Sequence, residues 1–156
     1  MFKAARWRNV KIVDQAQLPV SVKTWLLDRG SLTQRLIKVS EGNFRVECLQ
    51  QGLAVPQHNE AQLLGLKPRQ KAWIREVYLY CYDEPWVYAR TVVPIYSLSG
   101  RLGFLRKLKN TALGSLLFKD PFLQRDDFQI AKIAEFSPPL FARRSLFLLY
   151  KQPLLV

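Results

Sequence analysis

The sequence predicts a single α+β domain, and three observations carry that reading. Two runs rich in aromatic and β-branched residues, 72–82 and 86–93, flank Asp83-Glu84-Pro85 and read as a long antiparallel hairpin. Short stretches with helical spacing lie on both sides of that hairpin. No Gly/Ser linker, repeat or low-complexity tract divides the 156 residues, a length that suits one domain with its own core.

Taken in order, Val22 to Arg29 reads as a short helix around Trp25, Leu26 and Leu27, ended by Gly30. Ser31 followed by Gln34 is a capping pattern for a second helix, Leu32 to Val39, with Leu32, Leu36 and Val39 on one side. Phe44, Val46 and Cys48 alternate with Arg45, Glu47 and Leu49 as in a strand. Gly52 to Lys71 is polar, holds Pro56 and Pro68, and reads as a connection with one helical turn near Glu60 to Leu64. After the hairpin, which Pro94 closes, Leu102 to Leu108 and Ala112 to Phe118 read as short helices, the second capped by Thr111. Phe128 to Ile133 and Arg144 to Tyr150 read as strands separated by Ser137-Pro138-Pro139. Lys151-Gln152-Pro153 reads as a turn, and Leu154 to Val156 begins a further strand too short to be a complete partner. We therefore expect one domain over 1–156 that lacks its final C-terminal strand.

Charge narrows the partners. Lys plus Arg number 24 against 12 Asp plus Glu, leaving +12 and an affinity for anions of unspecified kind. The basic excess concentrates after residue 100 and in the first eleven residues. Met1 to Val10 has no apolar core of the kind a signal peptide needs, and no apolar run approaches the ~20 residues of a membrane span. Two cysteines without a CxxC, Cys48 and Cys81, fit free thiols in a reducing cytoplasm. The single His58 excludes a histidine-cluster metal site, and no Gly-rich phosphate loop, GxSxG or HExxH motif is present.

The residue that stands out is Arg75. Period 2 puts it in a row with Trp73, Val77, Leu79 and Cys81, an otherwise apolar face. A guanidinium keeps its charge, so an inward arginine needs an anion, either a protein carboxylate or a ligand carboxylate held by its fork. On the other hairpin strand Arg90 shares a face with Trp86, Tyr88 and Val92, and two such arginines on adjacent strands would suit a dianion. Arg143 and Arg144 alternate, so at least one is expected in solvent. Arg125 beside Asp126 and Asp127 reads as a local ion pair, and the basic run 101–109 as the polar side of a helix. Aromatics occur on both hairpin faces, which argues for burial between layers over an exposed base-stacking platform.

Several ordered segments then resemble the bacterial chorismate pyruvate-lyase family. They are Trp73-Ile74-Arg75-Glu76, the run Glu84-Pro85-Trp86 to Ala89-Arg90-Thr91-Val92-Val93-Pro94, and Leu98-Ser99-Gly100. Thr111-Ala112-Leu113-Gly114, Arg125-Asp126-Asp127-Phe128, Ala142-Arg143-Arg144-Ser145 and Lys151 through Pro153 to Leu155 complete the pattern. The resemblance implies an antiparallel sheet of about six strands with short helices packed around it, an enclosed ligand site, and no metal or organic cofactor. It implies that Arg75 grips a ring carboxylate, that Leu113 contacts the ligand through its backbone region, and that Leu32 sits on an early helical flap. The second ligand carboxylate falls to Arg90. The family glutamate that follows the Pro153-Leu154-Leu155 segment has no counterpart before Val156, so the chain is either incomplete there or has lost that residue.

The implied reaction is elimination of pyruvate from chorismate to give 4-hydroxybenzoate for ubiquinone synthesis. The expected partners are that dianionic substrate and its aromatic acid product, with no nucleic acid and no membrane span, for a monomer in the cytoplasm. A ligand-binding protein on the same fold and a nucleic-acid module are the rival classes; the second predicts affinity that falls steeply with salt. The residues leave open whether the proton moves within the substrate or through the protein.

Overall fold

The computed structural model describes residues 5–156; the lysine of the basic N-terminus, Lys3, lies outside the described residues. The architecture is α+β, with a six-stranded antiparallel sheet, a smaller three-stranded sheet and short helices around them. The helices are α1 (Val20–Leu26), α2 (Leu32–Val39), α3 (His58–Leu63) and α4 (Leu113–Leu117). The strands are β1 (Arg8–Asn9), β2 (Phe44–Ala54), β3 (Ala72–Cys81), β4 (Glu84–Pro94), β5 (Gln124–Arg125), β6 (Gln129–Ile133), β7 (Leu140–Arg144), β8 (Leu146–Leu149) and β9 (Gln152–Leu155). The large sheet runs in the order β2-β3-β4-β9-β8-β5 and the small one β1-β6-β7.

β3 is covered on both faces, which explains its near-continuous apolar composition. On one face Val77, Leu79 and Cys81 pack against Leu36 of α2, and Trp73 joins Leu102, Leu105, Leu113 and Leu117. On the other, Ile74 and Ala72 pack with Val92 of β4 and with Ala61 and Leu64 of the α3 region. Further along that second face the tyrosines meet edge to face, with Tyr78 and Tyr88 ring centroids 6.0 Å apart.

The hairpin forms as expected, but its turn is tighter. Tyr82 and Asp83 both take positive φ (50° and 61°), the backbone of a two-residue turn matched to strand twist, and Glu84 and Pro85 already belong to β4. The pairing shifts by one between Leu79 and Tyr80, leaving Trp86 as a bulge. β8 and β9 meet in the same way through Tyr150 and Lys151 (φ 52° and 61°), so the turn falls one residue earlier than Lys151-Gln152-Pro153.

Other boundaries move for identifiable reasons. β2 continues to Ala54 because Gln50 to Ala54 pair with Glu76 to Ala72, so the polar connection starts later than Gly52. α1 stops at Leu26, before Arg29. α3 is capped reciprocally by Gln57 and Glu60, where one turn was expected. Residues 100–107 form a 3-10 helix, and α4 starts without a side-chain cap from Thr111. The expected strand Arg144–Tyr150 is two strands in different sheets: the chain crosses between them at Ser145, whose N–H and C=O pair with Val156. Both cysteines are free thiols. Among the described residues no helix is long and apolar enough to cross a membrane.

Candidate active site

The apolar face of β3 does not close completely. Between it and α1, α2, α4 and β7 lies a cavity of about 700 Å³, within the range that encloses small-molecule ligands. Its walls are mostly apolar: Trp25, Leu32 and Leu36 from the early helices, Val77 and Leu79 from β3, Leu113 and Leu117 from α4.

Arg75 enters this wall where the alternation places it, at 2% exposure. Its Nη2 donates to the carbonyls of Lys109 (2.7 Å) and Thr111 (2.8 Å), while its Nε has no hydrogen-bond partner. No carboxylate lies within ion-pair distance among the described residues. Of the two anion sources the sequence allowed, the described residues do not supply the protein carboxylate. Burial pushes this guanidinium below its ordinary value. Leaving such a charge with neutral acceptors costs several kcal/mol, an expense a ligand carboxylate would offset.

The two carbonyls also make Arg75 a tie. They fix the 109–111 segment, and that segment delivers Leu113 and Gly114 to the cavity. Here α4 and α2 approach closely: a Cβ on Gly114 would stand 2.7 Å from Thr33 Oγ1, so only glycine fits without movement. Leu32 opens α2, whose first turn Ser31 caps by accepting from the Gln34 N–H at 3.3 Å. Arg75, Leu32 and Leu113 thus all line the same cavity, Arg75 from the sheet side and the two leucines from the helical side.

Arg90 departs from its expected place. The register sets Arg75 opposite Thr91 and Glu76 opposite Arg90, so the two arginines leave the sheet on opposite faces. Arg90 reaches the cavity margin, but its guanidinium is occupied. Nε and Nη2 grip both oxygens of Glu60 (2.8 and 3.1 Å), and Nη1 meets Glu76 at 2.5 Å. Burial alone would depress it, yet the bonds and charges of Glu60 and Glu76 hold it above its ordinary value. Burial likewise raises Glu76, but donors Tyr88, Gln50 and Arg90 bring it net below the ordinary carboxylate range.

Three other arginines line the cavity, and sequence reasoning undervalued all of them. Arg125 is not paired with Asp126 or Asp127; Asp127 binds Lys11 (2.5 Å) and Arg29 (3.6 Å). Neither Arg143 nor Arg144 stands in solvent. Arg143 donates to the Leu26 and Asp28 carbonyls, and Arg144 donates to Gln129 (2.8 Å) and Asn59 (2.6 Å) over the Trp7 ring. The signal that could have found them is the density of arginine in strands facing apolar neighbours. The basic residues of 101–109 are mostly exposed. Among the described residues no cluster of His, Cys, Asp and Glu is placed to hold a metal.

Fold and site together define an α+β domain with a mostly apolar internal cavity and a buried arginine in its wall that meets no carboxylate among the described residues. The chorismate lyase family model matches residues 1–156, and the chain belongs to that family. Relatives include the probable chorismate pyruvate-lyase of Marinobacter nauticus, 43% identical over 79% of this chain and 66% of that protein. That of Nitrosomonas europaea is 38% identical over 88% of this chain and 85% of the relative. The chorismate pyruvate-lyase of Hamiltonella defensa is 35% identical over 100% of this chain and 85% of its own length. The Marinobacter match thus spans just under two thirds of that relative.

Proposed function

We propose that the protein eliminates pyruvate from chorismate to give 4-hydroxybenzoate. The observation that carries this reading is Arg75, a buried guanidinium on a cavity wall with no carboxylate partner and an unused Nε. Family membership supplies the reaction class.

In this elimination the ether bond at ring C3 breaks and the bonding pair leaves with the enolpyruvyl oxygen. The C4 proton is lost and its electron pair completes the aromatic ring, while the departing enolpyruvate takes up one proton to become pyruvate. Aromatisation supplies the driving force, so the protein's contribution is orientation and charge placement. Arg75 anchors the ring carboxylate. Leu32 and Leu113 hold the ring from the helical side, and the apolar wall excludes water and strengthens the charged contact.

The test is an absorbance assay for 4-hydroxybenzoate from chorismate with the purified protein, with pyruvate measured in parallel. Equimolar release of both supports the reading. Tight binding of 4-hydroxybenzoate with no turnover would make the chain an aromatic-acid binding protein, and binding of neither compound would refute the reading of the cavity.

A further inference from the structure

We propose that Arg125 and Arg143 form the subsite for the second carboxylate of the dianionic ligand. This rests on the reading of the cavity just given and assigns the half of the substrate that Arg75 does not hold. It replaces Arg90, whose charge is already met by two glutamates.

The argument begins with a charge imbalance. Arg75, Arg125, Arg143 and Arg144 line the cavity, none with a carboxylate in ion-pair distance among the described residues, and the one lining glutamate, Glu60, is spent on Arg90. Arg144 lies with Gln129 and Asn59 and stacks on Trp7 at 4.4 Å. Arg125 and Arg143 both stand near the Phe128 ring, their guanidinium carbons 5.4 and 5.6 Å from its centre, with Arg29, which pairs with Asp127, at 5.8 Å; Arg125 is also 5.1 Å from the ring of Phe147, which lines the cavity. The acceptors that fix them are uncharged. Arg125 donates from Nε to Ser145 Oγ (2.9 Å) and from Nη1 to the Arg29 carbonyl (3.1 Å). Arg143 donates from Nη1 to the Leu26 and Asp28 carbonyls. Each therefore keeps its Nη2 without a partner among the described residues. The nearest acid, Asp28, is committed to Arg35 at 3.0 Å and to the Gly30 N–H at 2.8 Å.

Two like charges near one ring, held by neutral oxygens in a wall that partly excludes water, attract an anion, and the charge of Arg143 acts against that of Arg125. Burial first, then the charges of Arg143 and Arg29, lower Arg125 to about 10, so it is still fully charged at neutral pH. A carboxylate between two donor edges gains charge-assisted bonds and removes the repulsion at once. A purely structural role is the alternative. The two arginines also clamp the 26–29 segment after α1 to the sheets, and a clamp needs no ligand.

Two stable probes separate these roles. 4-Hydroxybenzoate carries one carboxylate; 3-(carboxymethoxy)-4-hydroxybenzoate adds a second on an ether arm at the position of the enolpyruvyl group. Calorimetric titration of wild type, Arg125→Gln and Arg143→Gln with both, beside thermal melts, reads the subsite. The expected result is a loss of tenfold or more in dianion affinity in each variant, with monoanion affinity within twofold of wild type. Arg125→Lys keeps the charge while losing the fork, so it should retain more of the dianion preference than Arg125→Gln even where its melting temperature falls. Unchanged dianion affinity in both glutamine variants would overturn the proposal. So would equal losses for both probes with a lowered melting temperature, the signature of a clamp. Wild-type protein that binds neither probe would overturn the cavity reading as a whole.

Discussion

Replacing Arg90 by methionine removes the cation from between Glu60 and Glu76 while keeping an unbranched, apolar stem. The three side chains are 21%, 9% and 13% exposed, so the network is largely withdrawn from water. Removing one partner of a buried ion pair costs about 3–5 kcal/mol, because the remaining charge is left uncompensated. Tyr88 and Gln50 still donate to Glu76, which places the expected loss near the lower end, about 3 kcal/mol. For a domain of this size each kcal/mol moves the melting temperature by roughly 2–4 °C, so the variant should melt about 6–12 °C lower at pH 7. Circular-dichroism melts read the shift, and 4-hydroxybenzoate titration below the melting range should show affinity within a few-fold of wild type. The deficit should narrow as pH falls through the carboxylate range, since Arg90 is one of the groups that hold Glu76 below its ordinary value and Glu76 protonates more easily without it. A full-height melt with collapsed ligand affinity would refute the reasoning and return Arg90 to the ligand.

Two further predictions follow from the same contacts. Gly114→Ala drives a Cβ into Thr33 Oγ1, which should cost about 1–3 kcal/mol and weaken ligand binding by displacing Leu113; adding Thr33→Ala should recover most of both in melts and titrations. On the acid side, Glu76 and Asp28 have folded pKa values below their ordinary ones, so their contribution is complete above the ordinary carboxylate range and is lost as pH falls through the depressed values. Denaturation monitored from pH 7 to 3 should show that loss, and Glu76→Gln should flatten it.

Alternation within a strand was legible: Arg75 on an apolar face, and Arg90 with Tyr88 and Val92 on theirs, stand as the period of two requires. What the sequence did not disclose was how the two strands register. A turn at Tyr82-Asp83 without any bulge would set Arg75 directly opposite Arg90. The single extra residue at Trp86 shifts the pairing by one and sends Arg90 to the face of Glu76. Nothing in Tyr-Asp or Tyr-Lys announces a tight hairpin, because the usual Asn or Gly is absent from both turns. The partners of Arg125 and Arg143 were equally hidden. Backbone carbonyls at Leu26, Asp28 and Arg29 carry no sequence signal, and Asp126 and Asp127 offered a nearer but unused alternative. The crossing at Ser145 interrupts a run that reads as one strand, since a serine within β-rich residues is not a break by itself.

The most direct test concerns Arg75, titrated with 4-hydroxybenzoate as wild type, Arg75→Ala and Arg75→Lys, with a melt of each. Truncating one partner of a buried charged hydrogen-bonded pair costs about 2–5 kcal/mol of binding, roughly thirtyfold to several thousandfold in affinity. The alanine variant should show that loss, and the lysine variant a large part of it, because an ammonium lacks the fork. Melting temperatures should change little, since losing the bonds to Lys109 and Thr111 is offset by no longer burying an uncompensated charge. Unchanged affinity beside a much lower melting temperature would mean that Arg75 only ties the 109–111 segment, and would contradict its role as the anchor of the ligand carboxylate.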